Sequence, residues 1–191
     1  SYNYLVAKKN LAFETVDLQL NNNASPAEII NEQEVEIEND TVVADVKKNV
    51  AKEDYIGFLE IPKINLVKGF VSKDSKRNNV NFNLQIIKPS DYPDVDKGNF
   101  IIAAHSGNSQ ISYFKNLYKL EINDVINVYY KEKKYIYKVI NIYTQPKTGE
   151  IAIYRDNRVT TITLVTCTKN DDTTQTIYIG ELISKEENKE G

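Results

Sequence analysis

The chain has 191 residues, 41% of them hydrophobic and 10% aromatic, with 24 Lys and Arg against 27 Asp and Glu for a net charge of −3. That length suits one domain of ordinary size plus an extension, and the mildly acidic balance, with no basic stripe along a face, argues against a nucleic-acid partner. The single cysteine excludes an intramolecular disulfide and a cysteine-based zinc site. No methionine occurs, so an N-terminal piece is expected to be missing. No apolar run approaches the roughly 18 residues of a membrane span, which leaves any signal or anchor to that missing piece.

Residues 1–54 differ in character from the rest. Leu5, Leu11, Phe13, Val16, Leu18 and Leu20 are scattered over a first stretch that suits a helix or an extended arm. Asn21-Asn22-Asn23-Ala24-Ser25-Pro26 is a break, and Ser25 before Pro26 predicts the start of a short helix. The acidic residues between 32 and 40 read as a solvated arm, with a hard-cation site as the alternative.

From residue 55 the pattern becomes that of a β protein. Strands are predicted over 55–62, ending at Pro62, and over 65–71, with a weaker alternating segment at 78–84. Residues 88–98 hold Pro89, Pro93 and Gly98 and form a loop. Residues 99–105 make a buried strand. Phe114, Leu117 and Leu120 are spaced for a short helix over 111–120. Residues 124–131 and 133–143 pair across a Lys-Glu-Lys turn, and 145–158 is a longer loop with a helical turn at 150–155. A β-branched strand follows at 161–168, a last strand at 175–182, and a charged tail at 184–191. The fold class is therefore mainly β: a closed antiparallel barrel of about eight strands over 55–183, with one or two short helices and an N-terminal extension.

Two of these strands end in reactive side chains. Thr161-Ile162-Thr163-Leu164-Val165-Thr166 delivers Cys167 to a polar loop opened by Thr168, Lys169 and Asn170. Phe100-Ile101-Ile102-Ala103-Ala104 delivers the only histidine, His105, to Ser106-Gly107-Asn108. A lone cysteine on an apolar strand is ordinarily a small buried hydrophobe. A cysteine and a histidine, each where a rigid strand meets an open loop, form the layout that thiol catalysis requires.

Three segments together resemble one family. Tyr55-Ile56-Gly57-x-Leu59-x-Ile61-Pro62-x-Ile64 is similar to the opening of a sortase core. Ile101-Ile102-Ala103-Ala104-His105-Ser106-Gly107 is similar to its histidine strand, and Thr163-Leu164-Val165-Thr166-Cys167-Thr168 to its Thr-Leu-x-Thr-Cys signature. The order fits as well, with 62 residues from His105 to Cys167. The resemblance implies a cysteine transpeptidase on the outer face of a Gram-positive cell membrane, anchored by an N-terminal segment absent from this chain. Cys167 would cleave the C-terminal sorting signal of a secreted protein through a thioester. His105 would serve as acid and base, and an amine of a peptidoglycan precursor or a pilin would take the acyl group. Neither a cofactor nor a metal is implied.

The sequence departs from that family at one place. Sortases usually carry an arginine on the strand after the cysteine loop, and counting back from Gly180 puts Gln175 there. The chain has three arginines, Arg77, Arg155 and Arg158, and none follows Cys167. Either the Gln175 amide replaces the missing donor, or Arg155 reaches in from the 145–158 loop, or the domain is weakly active or inactive and only binds sorting-signal peptides or a partner. No Asp-Pro lid motif occurs in residues 1–54, and the subclass stays open. An unrelated β protein with a structural cysteine is the remaining alternative.

Overall fold

The computed structural model describes residues 28–31 and 53–188. The described strands are β1 (Glu28–Asn31), β2 (Gly57–Ile61), β3 (Leu66–Phe70), β4 (Gln85–Ile86), β5 (Asn99–Ala103), β6 (Val125–Tyr130), β7 (Lys133–Pro146), β8 (Glu150–Ile153), β9 (Thr161–Cys167) and β10 (Thr174–Glu187). Eight of them form one sheet in the order β3-β2-β6-β7-β10-β9-β5-β4, which curls into a nearly closed barrel; β1 and β8 pair separately. Every ladder is antiparallel except β5 with β9, which is parallel. No helix among the described residues is long and apolar enough to cross a membrane.

Two apolar clusters explain the strand sequences. The larger fills the barrel and draws Leu59, Phe100, Val128, Tyr137, Leu164 and Tyr178 from six strands. The smaller lies on the outer face of β5, β9 and β10, where Ile101, Ala103, Val165, Ile177 and Ile179 pack under Ile151 and Ile153 of β8. Because β5 and β9 are covered on both faces, every residue of each is buried. Their sequences therefore read as continuous apolar or β-branched runs rather than alternations.

Several expected elements differ. Residues 111–120 form turns and a short 3-10 segment, Leu117–Lys119, instead of a helix. The expected helical turn at 150–155 is strand β8: Ile151 and Ile153 point inward, while Glu150 and Ala152 are less covered. The predicted strand over 78–84 is a series of turns, because asparagine side chains capture the backbone. The amide of Asn78 accepts from Ile86 N at 2.7 Å and donates to Ile86 O at 2.9 Å, standing in for a neighbouring strand at β4. The tail expected from 184 is instead the end of β10, paired with β7 as far as Glu187. The helix expected from Ser25 is not found where the chain is described, since Glu28–Asn31 is a strand. The remaining expectations for the arm fall outside the described residues.

Gly180 marks a register shift in β10. A Cβ there would meet Ile162 Cγ2 at 2.8 Å and Tyr137 Cβ at 3.3 Å, so the strand approaches its neighbours more closely than a side chain permits. Tyr137 beside it is fully buried, and its hydroxyl has no partner among the described residues. An orphaned buried hydroxyl is a net cost. Tyr137→Phe is therefore expected to leave stability unchanged or raise it by about 1 kcal/mol in urea unfolding; a loss above that size would show that the hydroxyl is satisfied.

Candidate active site

The parallel ladder joins residues 62 apart, from Asn99 with Thr161 to Ala103 with Val165. Carried two residues beyond its last pair, Ala103 with Val165, the same register would set His105 opposite Cys167. On the other side of β9, Cys167 pairs with Gln175 at the start of β10. Paired residues share a face and successive ones alternate, so His105, Cys167 and Gln175 leave three adjacent strands on one side. It is the side of the smaller cluster, because Ile101, Ala103, Val165 and Ile177 have the same parity. Neighbouring strands lie about 4.8 Å apart, which brings the three candidate side chains into a single row.

Hydrogen bonds hold the strand ends together beyond the ladder. Ala104 N donates to Val165 O at 3.3 Å, Thr166 Oγ1 to Ala104 O at 2.8 Å, and Ser106 Oγ to Cys167 O at 2.9 Å. The loop after Cys167 is tied on itself. Thr168 N donates to Thr174 O at 3.1 Å, and Asp171 Oδ1 accepts from the backbone and hydroxyl of Thr173 at 2.8 and 2.6 Å. Lys147, nearly buried, clamps this loop from the β7–β8 connection: its Nζ donates to Asp172 O and its backbone N to Thr173 O, each at 2.9 Å. The loops following His105 and Cys167 face one another across a cleft of about 490 Å³.

His105 and Cys167 are each 4% exposed and Gln175 is 2% exposed. Burial pushes His105 from 6.5 down to about 4, so its imidazole is neutral at pH 7. Its Nε2 lies 3.4 Å from Asn81 Oδ1. With the proton on Nε2 this contact is a hydrogen bond to the amide oxygen, and Nδ1 is then the basic nitrogen. A cysteine beside a neutral imidazole can pass it a proton and become a nucleophile. Asn81 and Lys147 were not singled out by the sequence; the only pointer to Asn81 is its place in a run of asparagines between 78 and 83.

Arg155 is not brought to this row. Its guanidinium donates to Thr161 Oγ1 at 3.0 Å, Val159 O at 3.2 Å and Lys97 O at 3.1 Å. Thr161 opens β9 and Cys167 closes it, a separation of about 20 Å along a strand. The other arginines are also engaged elsewhere, Arg77 with Glu53 and Arg158 with Asp156. Gln175 is thus the one of the two suggested stand-ins that shares the row with Cys167. Among the described residues no group of three or more His, Cys, Asp or Glu side chains could hold a metal.

A family model described as the Sortase domain matches residues 59–182. In fold the chain is similar to sortase A of Listeria monocytogenes, at 19% identity and a TM-score of 0.61 over 72% of this chain and 93% of that one. It is likewise similar to sortase E1 of Streptomyces coelicolor, whose structure holds a tripeptide in the active site, at 23% identity and a TM-score of 0.56 over 70% of this chain and 90% of that one. A Clostridium perfringens sortase D5 transpeptidase matches at 22% identity and a TM-score of 0.55 over 74% and 89% of the respective chains. No curated protein sequence matches the chain.

The lowered His105 value has a consequence for stability. Between pH 6.5 and about 4 the unfolded chain binds a proton at this residue that the folded chain does not. The contribution is therefore fully present above 6.5 and is lost as pH falls through that window, by about 1.4 kcal/mol per unit. Urea midpoints should decline less steeply from pH 7 to 4.5 in His105→Gln than in the native chain. Parallel declines would contradict a buried, neutral imidazole.

Proposed function

The chain belongs to the sortase family, and on that footing we propose that it is a cysteine transpeptidase with Cys167 as nucleophile and His105 as acid and base. The observation that supports the proposal is the register that pairs Cys167 of β9 with Gln175 of β10 and that, carried two residues past the Ala103–Val165 pair, leads β5 into His105 beside Cys167. In the forward step Cys167 passes its proton to neutral His105, and the thiolate adds to the carbonyl carbon of the scissile peptide bond. The tetrahedral oxyanion then collapses, the C–N bond breaks, and His105 returns the proton to the departing amine. A thioester on Cys167 remains. An incoming amine, losing a proton to His105, adds to that thioester; the C–S bond then breaks, the Cys167 thiolate leaves and takes the proton back from His105, and a new amide is released.

The amide of Gln175 stands in for the family's usual arginine as a neutral donor toward the oxyanion. Substrates in this reading are secreted proteins with a C-terminal sorting signal, and the acceptor is an amine of a peptidoglycan precursor or a pilin. The enzyme works at the outer face of a Gram-positive membrane, held by an N-terminal anchor. The neutral, almost fully buried Gln175 also favours a second reading, in which the domain binds sorting peptides with little or no turnover.

Intact mass after incubation with a panel of sorting-signal peptides, without added amine, separates the two. Transpeptidation predicts a thioester adduct that is absent in Cys167→Ala, with a rate reduced about 10²-fold in Gln175→Ala and maintained or raised in Gln175→Arg. Peptide binding with no adduct from any peptide would establish the second reading, and turnover surviving in Cys167→Ala would end the covalent mechanism.

A further inference from the structure

An ion pair anchors the run of turns that reaches His105. Arg77 Nε donates to Glu53 Oε1 at 2.9 Å, and a second guanidinium nitrogen converges on the same oxygen. The Glu53 side chain is 8% exposed. The Arg77 hydrogen bond holds its carboxyl below the usual carboxylate range, so Glu53 is charged at pH 7. The guanidinium also lies over the Phe82 ring, 4.4 Å from its centroid. A covered charge pair adds little net stability, so its use here is better sought in what it holds in place.

The turns over 77–83 are built on it. Asn83 Nδ2 donates to Arg77 O at 3.1 Å. Asn79 gathers the rest: its carbonyl accepts from Phe82 N at 2.9 Å and Asn83 N at 2.8 Å, and its side-chain oxygen accepts from Asn81 N at 2.8 Å. Asn81 thus lies between Val80, which packs against the smaller cluster, and Phe82, on which Arg77 rests. From there its Oδ1 comes within 3.4 Å of His105 Nε2. The backbone of His105 is tied to the same run. Phe114 N donates to His105 O at 2.9 Å, and the neighbouring Tyr113 Oη donates to Phe82 O at 3.4 Å. Both holds on His105 lead back to Phe82 and Arg77.

We propose that Arg77 is a positioning residue for the base His105: its ion pair with Glu53 fixes the turns over 77–83, and through Asn81 this fixes the imidazole with its proton on Nε2. Nδ1 is then the nitrogen able to take a proton; in the other tautomer it already carries one. That His105 serves as acid and base rests on the function proposed above; the link from Arg77 to the ring does not.

The single histidine of the chain makes the link measurable. Long-range proton–nitrogen NMR spectra of the full chain, labelled with nitrogen-15 histidine and held at pH 7, report which ring nitrogen bears the proton. The native chain should show Nε2–H, as should Arg158→Gln, which breaks only the exposed pair with Asp156. Asn81→Ala and Arg77→Gln should both give a mixture with Nδ1–H, and Arg77→Lys, which keeps the charge beside Glu53, should restore the native signal. Glu53→Ala combined with Arg77→Ala strands no buried charge and should show the same mixture if Arg77→Gln fails to fold. A purely structural role would lower stability and leave the tautomer of the folded protein unchanged. With a reactive peptide, thioester formation at saturation should slow roughly tenfold in Arg77→Gln, about the effect of one lost hydrogen bond, without a matching loss of peptide affinity.

A native imidazole protonated on Nδ1 would overturn the proposal. So would a native tautomer in the folded Arg77→Gln or double variant. Shifted tautomers with no thioester from any peptide would keep the link from Arg77 to His105 and count against transpeptidation alone.

Discussion

The site depends on the parallel ladder between β5 and β9. A parallel pair needs a long crossover, here everything from residue 104 to residue 160, so the strand ends that lead to His105 and Cys167 are far apart in sequence and adjacent in space. With β9 held by β10, a slip of β5 by one residue would turn His105 toward the barrel and bring Ala104 out, away from Cys167. Polar bonds fix the register at both ends. Asn99 Oδ1 accepts from Thr161 and Thr163, each at 3.0 Å, where the ladder begins. Thr166 and Ser106 bridge the two chains where it ends. Apolar packing on both faces then makes any alternative register costly.

Burial shapes the chemistry as well as the fold. His105 is neutral because the surroundings withhold solvent from its charged form, which favours a base waiting for a proton over a standing ion pair. A guanidinium in the same row would need a compensating partner to offset desolvation; a glutamine amide does not. The exchange has a kinetic side. A hydrogen bond to a charged group contributes about 1.5–3 kcal/mol against 0.5–1.5 kcal/mol for a neutral pair, so a neutral donor toward an oxyanion gives up about tenfold in rate. The clamp that Lys147 places on the loop after Cys167 steadies the entry to β10 and with it Gln175.

The strands that lead to His105 and Cys167 were legible in the sequence because burial on both faces leaves a strong compositional mark. The constant spacing of 62 residues is the ladder's own register. What misled were signals of short range. Phe114, Leu117 and Leu120 recur at threes, a spacing that a 3-10 turn shares with an α-helix. Glu150 to Ile153 alternates correctly for a strand but is too brief to outweigh its loop setting. Arg155 is near Cys167 in number yet tied to the far end of β9, and only topology reveals which end. Asn81 reaches His105 from a run of turns, and no local pattern announces such a contact.

The most direct test of the account uses the fact that the chain has one cysteine. In His105→Cys the introduced thiol should lie across one strand spacing from Cys167, within the Cα separation of roughly 4.4–6.8 Å that a disulfide spans. Mild oxidation of the dilute protein, followed by thiol counting and mass spectrometry, should give an intramolecular disulfide and no titratable thiol. Two persistent thiols, or crosslinking only between molecules, would contradict the register on which the site is built.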